Sequence, residues 1–270
     1  MERVSFNEKL QWSMENERLP LKNECTDKLK VKDYVNEKLG EGFVPKVYVV
    51  ANDVKELFSK VENFENHPQT CFIKSNNDSG GVAFVEDGVV EDYKLNLVEK
   101  YKNSVYDGYY RGEWFYKDIE YKCFTEEYLG SNLIDYKFHC SAGEPRFCQV
   151  IRDRSIGQTN EVCTDMDGNC YDFHFDLNFK LVKEFKKPKN WERMKEIAKI
   201  LCEPFDYVRV DMYNINIEDS TDKSLFIGEL TFAPMSGNYR GSGQIEAGKL
   251  LIGSGNDVII NKKSFRKISK

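Results

Sequence analysis

Two stretches decide how this chain is read: Tyr207-Val208-Arg209-Val210-Asp211-Met212-Tyr213 and, past a polar turn at Glu218–Lys223, Leu225-Phe226-Ile227-Gly228-Glu229-Leu230-Thr231-Phe232. Both alternate apolar and polar residues with period two, the pattern of half-buried strands. The spacing predicts strands over 207–217 and 224–232 joined as an antiparallel hairpin. A turn centred near residue 220 sets Asp211 opposite Glu229, with Cβ atoms ~5 Å apart. One face then carries Arg209, Asp211 and Tyr213 with Glu229, Thr231 and Ala233. The other carries Val208, Val210, Met212, Leu230 and Phe232 and reads as a core face. Two carboxylates facing each other on apolar strands repel, and desolvation makes this worse. A divalent cation such as Mg²⁺, completing its shell from phosphate and water, would remove that cost. A hairpin face neutralised by Arg209 would remove it equally well.

The composition sets the frame for this hairpin. The chain has 270 residues, 40% hydrophobic, 13% aromatic and 31% charged, which excludes a disordered chain, a collagen and a coiled-coil rod. Its net charge of −6 is a poor match for a sequence-blind nucleic-acid binder, so no nucleic-acid partner is expected. No apolar run approaches the ~20 residues of a membrane span. The first eight residues lack the apolar segment of a secretory signal. None of the eight cysteines forms a CxxC pair, and their spacings fit no zinc knuckle. Reduced, mostly buried thiols and a cytoplasmic location are the expectation.

Other elements read more locally. Thr26 is placed to cap a helix over 27–39, stopped by Gly40. A strand is expected over 45–50. Asp53 with Glu56 reads as a capping box opening a helix that carries Val54, Leu57, Phe58 and Val61 on one face. Strands are expected at 71–75 and 82–86, a helix at 95–110, and a strand at 121–129. Strands at 136–141 and 145–153 flank an Ala142-Gly143-Glu144 turn, and an amphipathic helix covers 190–203. From Pro234 onward the chain is Gly-rich and reads as loop. The fold class is α+β with many antiparallel hairpins.

Two further groups bear on chemistry. Lys74 ends an apolar strand and precedes Ser79-Gly80-Gly81. A lysine there is costly to desolvate unless it meets an anion, and the glycines let backbone N–H groups approach one. Phe124-Thr125-Glu126-Glu127-Tyr128-Leu129 ends a strand at an acidic, aromatic corner. The three histidines, His67, His139 and His174, have no metal spacing and read as structural. The aromatic run Tyr106–Arg111 with Trp114 and Phe115 reads as packing.

In order and spacing these elements resemble the ATP-grasp fold, and more narrowly the TupA-like ATP-grasp proteins associated with bacterial capsule and teichuronopeptide synthesis. The matching stretches begin with Phe6–Trp12, Asp27–Val35, Phe72-Ile73-Lys74 and Asp78-Ser79-Gly80-Gly81. They continue with Glu126–Leu129, Asp135–Phe138, Val208–Tyr213 and Gly228–Phe232, so that the resemblance spans roughly residues 6–240. It implies two α+β lobes with antiparallel sheets clasping ATP: residues 51–130 as the first, 131–270 as the second, and 1–50 as a preceding segment. Lys28 and Lys74 would contact the phosphates, with Ser79, Gly80 and Gly81 covering them. Glu126, Glu127, Tyr128 and Leu129 would read adenine, and Asp135 the ribose. Asp211 and Glu229 would bind Mg²⁺, with Thr231 where many relatives carry Asn. Arg209 would steady an acyl-phosphate. Arg152, Arg154 or Lys137 would stand in for the usual phosphate lysine of the second lobe. Ser236, Gly237 and Asn238 would border the acceptor pocket.

The implied chemistry is ATP-dependent ligation of small molecules. A carboxylate takes the γ-phosphate, an amine attacks the acyl-phosphate, and amide, ADP and phosphate result. A uronic-acid carboxylate and an amino acid or amino sugar are the substrates the resemblance suggests. Phosphoryl transfer to a sugar hydroxyl, or nucleotide binding without turnover, are the rival outcomes.

Overall fold

Ser5 and Glu8 open the first helix reciprocally: the Ser5 hydroxyl accepts from the Glu8 N–H, and the Glu8 carboxylate accepts from the Ser5 N–H. This α1 (Phe6–Asn16) is followed by α2 (Pro20–Thr26), with proline in its first turn, and α3 (Lys30–Leu39). In this computed structural model the described residues are 5–131, 133–153 and 158–251. The helix expected over 27–39 is α3, which starts at Lys30, and a separate helix, α2, precedes it. Thr26 ends α2 and donates to the Lys22 carbonyl rather than capping α3. The Asp27 carboxylate accepts from the Leu29 N–H at 2.9 Å, a local bond that competes with helix and delays α3 to Lys30. Gly40, at φ +84°, ends α3 as expected.

The first sheet contains β1 (Val47–Ala51), β2 (Cys71–Ser75), β3 (Val82–Val85) and β4 (Cys123–Glu127), in the order β1-β4-β2-β3 and antiparallel throughout. Helix α4 (Val54–Glu62) packs against it, its N-terminus capped by Asp53, whose carboxylate accepts from the Glu56 N–H at 2.7 Å. The reciprocal bond goes elsewhere, because Glu56 accepts from the Asn52 N–H. Ala51, Leu57, Ile73 and Ala83 fill this core. The helix expected over 95–110 is short: α5 covers Asp92–Val98. Beyond it the chain turns through 3₁₀ segments at Tyr109–Arg111 and Trp114–Tyr116, separated by Gly112 at φ +102°. Rings replace helix here: Tyr106 packs on Tyr101 and Tyr116 with centroids 5.1 and 4.6 Å apart.

The second sheet contains β5 (Ile134–Ser141), β6 (Glu144–Arg152), β7 (Asn160–Thr164), β8 (Lys180–Leu181), β9 (Tyr207–Asn214) and β10 (Leu225–Thr231). Its order is β10-β9-β5-β6-β7-β8, antiparallel except for the β7–β8 pair. Ala142 and Gly143, both at positive φ, make the two-residue turn between β5 and β6. Helix α6 (Trp191–Cys202) lays Met194, Ile197 and Leu201 on Val208, Val210 and Met212. Val35 of α3 and Phe43 join the same core, so the N-terminal helices are built onto the second sheet. The segment after Pro234, read as loop, also holds α7 (Gln244–Leu250), which packs against α1. No helix among the described residues is long and apolar enough to cross a membrane. All eight cysteines are free, and all but the half-buried Cys170 are buried.

Candidate functional site

The β9–β10 hairpin does set Glu229 opposite Asp211, and a bulge at Gly228 accomplishes it. Before the bulge, odd-numbered Leu225 and Ile227 point into the core; after it, even-numbered Leu230 and Phe232 do. The extra residue turns Glu229 and Thr231 to the face of Arg209 and Asp211. Glycine is required by its neighbour: a Cβ at 228 would lie 2.8 Å from the Tyr213 ring. Ala233, expected on the polar face, lines the cleft with Arg209, Glu229 and Thr231 and is also buried against the core cluster.

Asp211 is 2% exposed and is held by two cations. Arg209 clamps it bidentately, Nε to Oδ1 and Nη2 to Oδ2, both at 2.6 Å. Lys137, its cross-strand partner on β5, reaches Oδ2 at 2.5 Å and Asp135 at 2.8 Å. Burial works against the Asp211 charge, but Arg209 and then Lys137 outweigh it, holding the carboxyl well below the usual range. Burial likewise opposes the Lys137 charge, and Asp135 and Asp211 raise its pKa in spite of it. Arg209 also donates to Tyr239 Oη and Thr231 Oγ1, each at 3.1 Å, and lies 3.4 Å from Glu229 Oε1. Glu229 keeps a side chain 47% exposed. Among the described residues no group of three or more Asp, Glu, His or Cys is arranged to hold a metal. Two carboxylates and a hydroxyl nevertheless fit a hard cation that draws its remaining ligands from phosphate and water. Glu229 is open to such a cation, whereas Asp211 would have to exchange a cationic partner for it.

Across a cleft of about 400 Å³ from Lys137, Arg209, Glu229 and Thr231 lies Ser79, in the turn between β2 and β3. That turn is internally fixed. Asp78 Oδ1 accepts from Ser75 Oγ at 2.7 Å and from the Gly81 N–H at 3.2 Å. A Cβ at Gly81 would fall 1.9 Å from Ser75 Oγ, so only glycine fits. Lys28, at the α2–α3 junction, donates to the Ser75 carbonyl at 3.0 Å and to the Asp78 carbonyl. Lys74 pairs with Glu126, which Lys32 also meets at 2.8 Å. Burial opposes the Glu126 charge, but Lys74 and Lys32 keep its carboxyl below the usual range. Glu127 accepts from the Lys46 N–H, and Tyr128 packs on Phe84 with centroids 5.0 Å apart.

The predicted residues therefore gather unevenly. Lys137, Arg209, Glu229, Thr231, Ser79 and Ser236 line one cleft. Lys28 lies in an adjoining narrow cavity with Asp78, Glu229 and Thr231. Arg152 does not join them: it lies 3.6 Å from Asp153 and lines no part of the cleft. Arg154 falls outside the described residues. Gly237 accepts from Gln11, and Asn238 donates to the Ser236 carbonyl, so both shape the loop from behind. Sequence reading misses Lys32, Arg111 and Glu113; Tyr239 belongs to the Gly-rich tail expected to border the acceptor pocket, and it lines the cleft. Lys32 comes four residues after Lys28, but their shared role at the first sheet rests on the break between α2 and α3. Glu113 comes directly after the Gly112 turn, the one local signal available.

The sequence of the chain matches the family described as TupA-like ATPgrasp over residues 8–246. No curated protein matches. Similar solved structures include a D-alanine–D-alanine ligase from Bacillus anthracis complexed with ATP: 17% identity, TM-score 0.43, covering 77% of this chain and 55% of that one. The VanG D-Ala:D-Ser ligase from Enterococcus faecalis gives 16% identity and TM-score 0.43, covering 80% and 55%. The ATP-grasp ligase PsnB with minimal precursor, Mg and ADP gives 13% and 0.41, covering 83% and 57%. The chain thus spans about half the length of these proteins. The family match takes in both sheets, the hairpin and the glycine turn, and the chain belongs to the TupA-like ATP-grasp family.

Proposed function

We propose that the protein is an ATP-dependent carboxylate–amine ligase that forms an amide through an acyl-phosphate. The observation that carries this reading is Glu229, the cross-strand partner of Asp211, lining one cleft with Arg209 and Lys137 opposite Ser79 of the glycine turn. Lys74 and Lys28 would anchor the phosphates, the backbone of residues 126–129 would take the adenine edge, and Asp135 the ribose. Asp211, Glu229 and Thr231 would hold Mg²⁺, which when bound neutralises phosphate charge and orients the γ-phosphate for attack. Arg209, held by Asp211, Tyr239 and Thr231, would steady the carboxylate that attacks and the acyl-phosphate that forms. Lys137 keeps its proton beneath two carboxylates and supplies fixed positive charge to the transferring phosphoryl group. No covalent nucleophile from the protein is needed. The substrates that fit the family are a uronic-acid carboxylate of a surface polysaccharide and an amino acid or amino sugar, in the cytoplasm.

The commitment of both Asp211 oxygens to cations favours a second reading, nucleotide binding without turnover. A screen of amino acids and amino sugars crossed with uronic acids, read by ADP release and mass spectrometry, separates the two. Ligation gives ADP with a product lighter than its two substrates by one water. A phosphorylated product without an amide means a kinase, and nucleotide binding with no ADP across the whole screen rejects the ligase.

A further inference from the structure

The cleft continues past Arg209 to a wall that neither the nucleotide nor the metal reading uses. Its residues come from two turns far apart in sequence. Arg111 and Glu113 flank Gly112, whose φ of +102° turns both toward the cleft. Ser236 comes from the turn after β10, where Met235 and Ser236 both sit in the left-handed region at φ +54° and +51°. Adjacent non-glycine residues in that region are held there at a cost, and such strain gathers at binding sites. What holds them is polar. Ser236 Oγ donates to Glu113 Oε1 at 2.5 Å and accepts from Arg111 Nε at 2.8 Å.

The two charges flanking Ser236 are incompletely matched. Glu113 is 7% exposed, with the Ser236 hydroxyl as its hydrogen-bond partner and Arg111 Nη2 3.9 Å away. Burial pushes its carboxyl up, only partly offset by Ser236 and Arg111. Arg111 leaves its side chain 47% exposed over the Tyr106 ring, with one further contact to Tyr106 Oη at 3.3 Å. A buried carboxylate paired only loosely with its guanidinium, at 3.9 Å, and a guanidinium still half open to solvent match a small zwitterion. An amino sugar would satisfy Glu113 and leave Arg111 without an anion.

We propose that Arg111, Ser236 and Glu113 seat the amine substrate and that this substrate is a free α-amino acid, its carboxylate on Arg111 and its ammonium on Glu113. The inference rests on the ligase reading above. The seat shares its cleft with Arg209 and Glu229, where the acyl-phosphate would form. Glu113 takes one proton from the ammonium. The freed nitrogen lone pair forms the C–N bond as the acyl C–O bond breaks. The second nitrogen proton leaves on the departing phosphate, and Glu113 returns its proton to solvent.

Calorimetric titration of the full chain with a magnesium-loaded, non-hydrolysable ATP analogue tests this. The probes are glycine and the other amino acids in L and D form, their methyl esters, and glucosamine. We expect one or more acids to bind, each methyl ester about tenfold or more weaker through loss of a charge-assisted pair. Arg111→Gln should bring the acid down to its ester and leave the ester unchanged, Arg111→Lys should recover part of the loss, and Glu113→Gln should weaken acid and ester alike. Unaltered analogue affinity in each variant certifies the fold. Analogue binding with no acid preferred over its ester, or with glucosamine bound as tightly as any acid, overturns the amino-acid seat and leaves the ligase reading standing. Failure to bind the analogue at all removes both.

Discussion

Asp211 and Glu229 face each other yet differ sharply in what their removal should do. Asp211 is buried under Arg209 and Lys137, so Asp211→Ala leaves two cations without their anion. Breaking such a pair costs about 3–5 kcal/mol, to be read from urea unfolding. Glu229 is half exposed with one 3.4 Å contact to Arg209, so Glu229→Ala should cost no more than about 1 kcal/mol while abolishing any Mg²⁺-dependent ADP formation. The Asp211 carboxyl titrates lower folded than unfolded. Its contribution is complete above the unfolded value of ~3.9 and fades as pH falls below that toward the folded one. The stability gap between wild type and Asp211→Asn should therefore shrink between about pH 5 and pH 2; a constant gap would contradict the ion pairing. At this scale the sequence is legible where alternation fixes a face, as for Asp211 and Glu229. It is silent where partners come from elsewhere in the chain: nothing near Glu113 signals that Ser236, 123 residues away, will bind it.

Among the elements, the β9–β10 hairpin is readable because β9, opposite the β10 bulge, keeps its period-two pattern unbroken. The bulge itself is hidden, since Gly228 reads as an ordinary weak position in a strand. Gly228→Ala should cost about 1–3 kcal/mol by pressing a methyl group into the Tyr213 ring. Denaturant midpoints and the nucleotide affinity of the same variant check this, and an unchanged midpoint would mean Tyr213 can swing away freely. The helices are less legible than the strands, for a shared reason. Helix α3 begins late because the Asp27 carboxylate accepts from the Leu29 N–H, and α5 ends at Val98, ahead of turns across which the Tyr101, Tyr106 and Tyr116 rings pack. Helix α7, seven residues long, takes much of its stability from packing on α1 rather than from propensity.

For the molecule as a whole, the α+β class and the family are legible from the order along the chain of β2, the glycine turn, β4 and the hairpin. The proposed site is assembled between two sheets, and a ligand touching both should stabilise the chain by mass action. At a hundredfold excess over Kd, MgADP should add about 2.7 kcal/mol, which for a chain of this size raises Tm by roughly 5–10 °C. A flat scanning-calorimetry trace at millimolar MgADP would contradict the nucleotide site.

The Phe6 ring meets His139, Phe147, Phe175, Tyr207 and Tyr239, with centroids 5.1–6.3 Å apart. Tyr239 in turn hydrogen-bonds the Arg209 guanidinium. Helix α1 is thus a keystone for the cleft. A clone trimmed to start after residue 16 would keep every acidic and basic group that lines the cleft while losing the aromatic masonry on which Tyr239, and through it Arg209, stands.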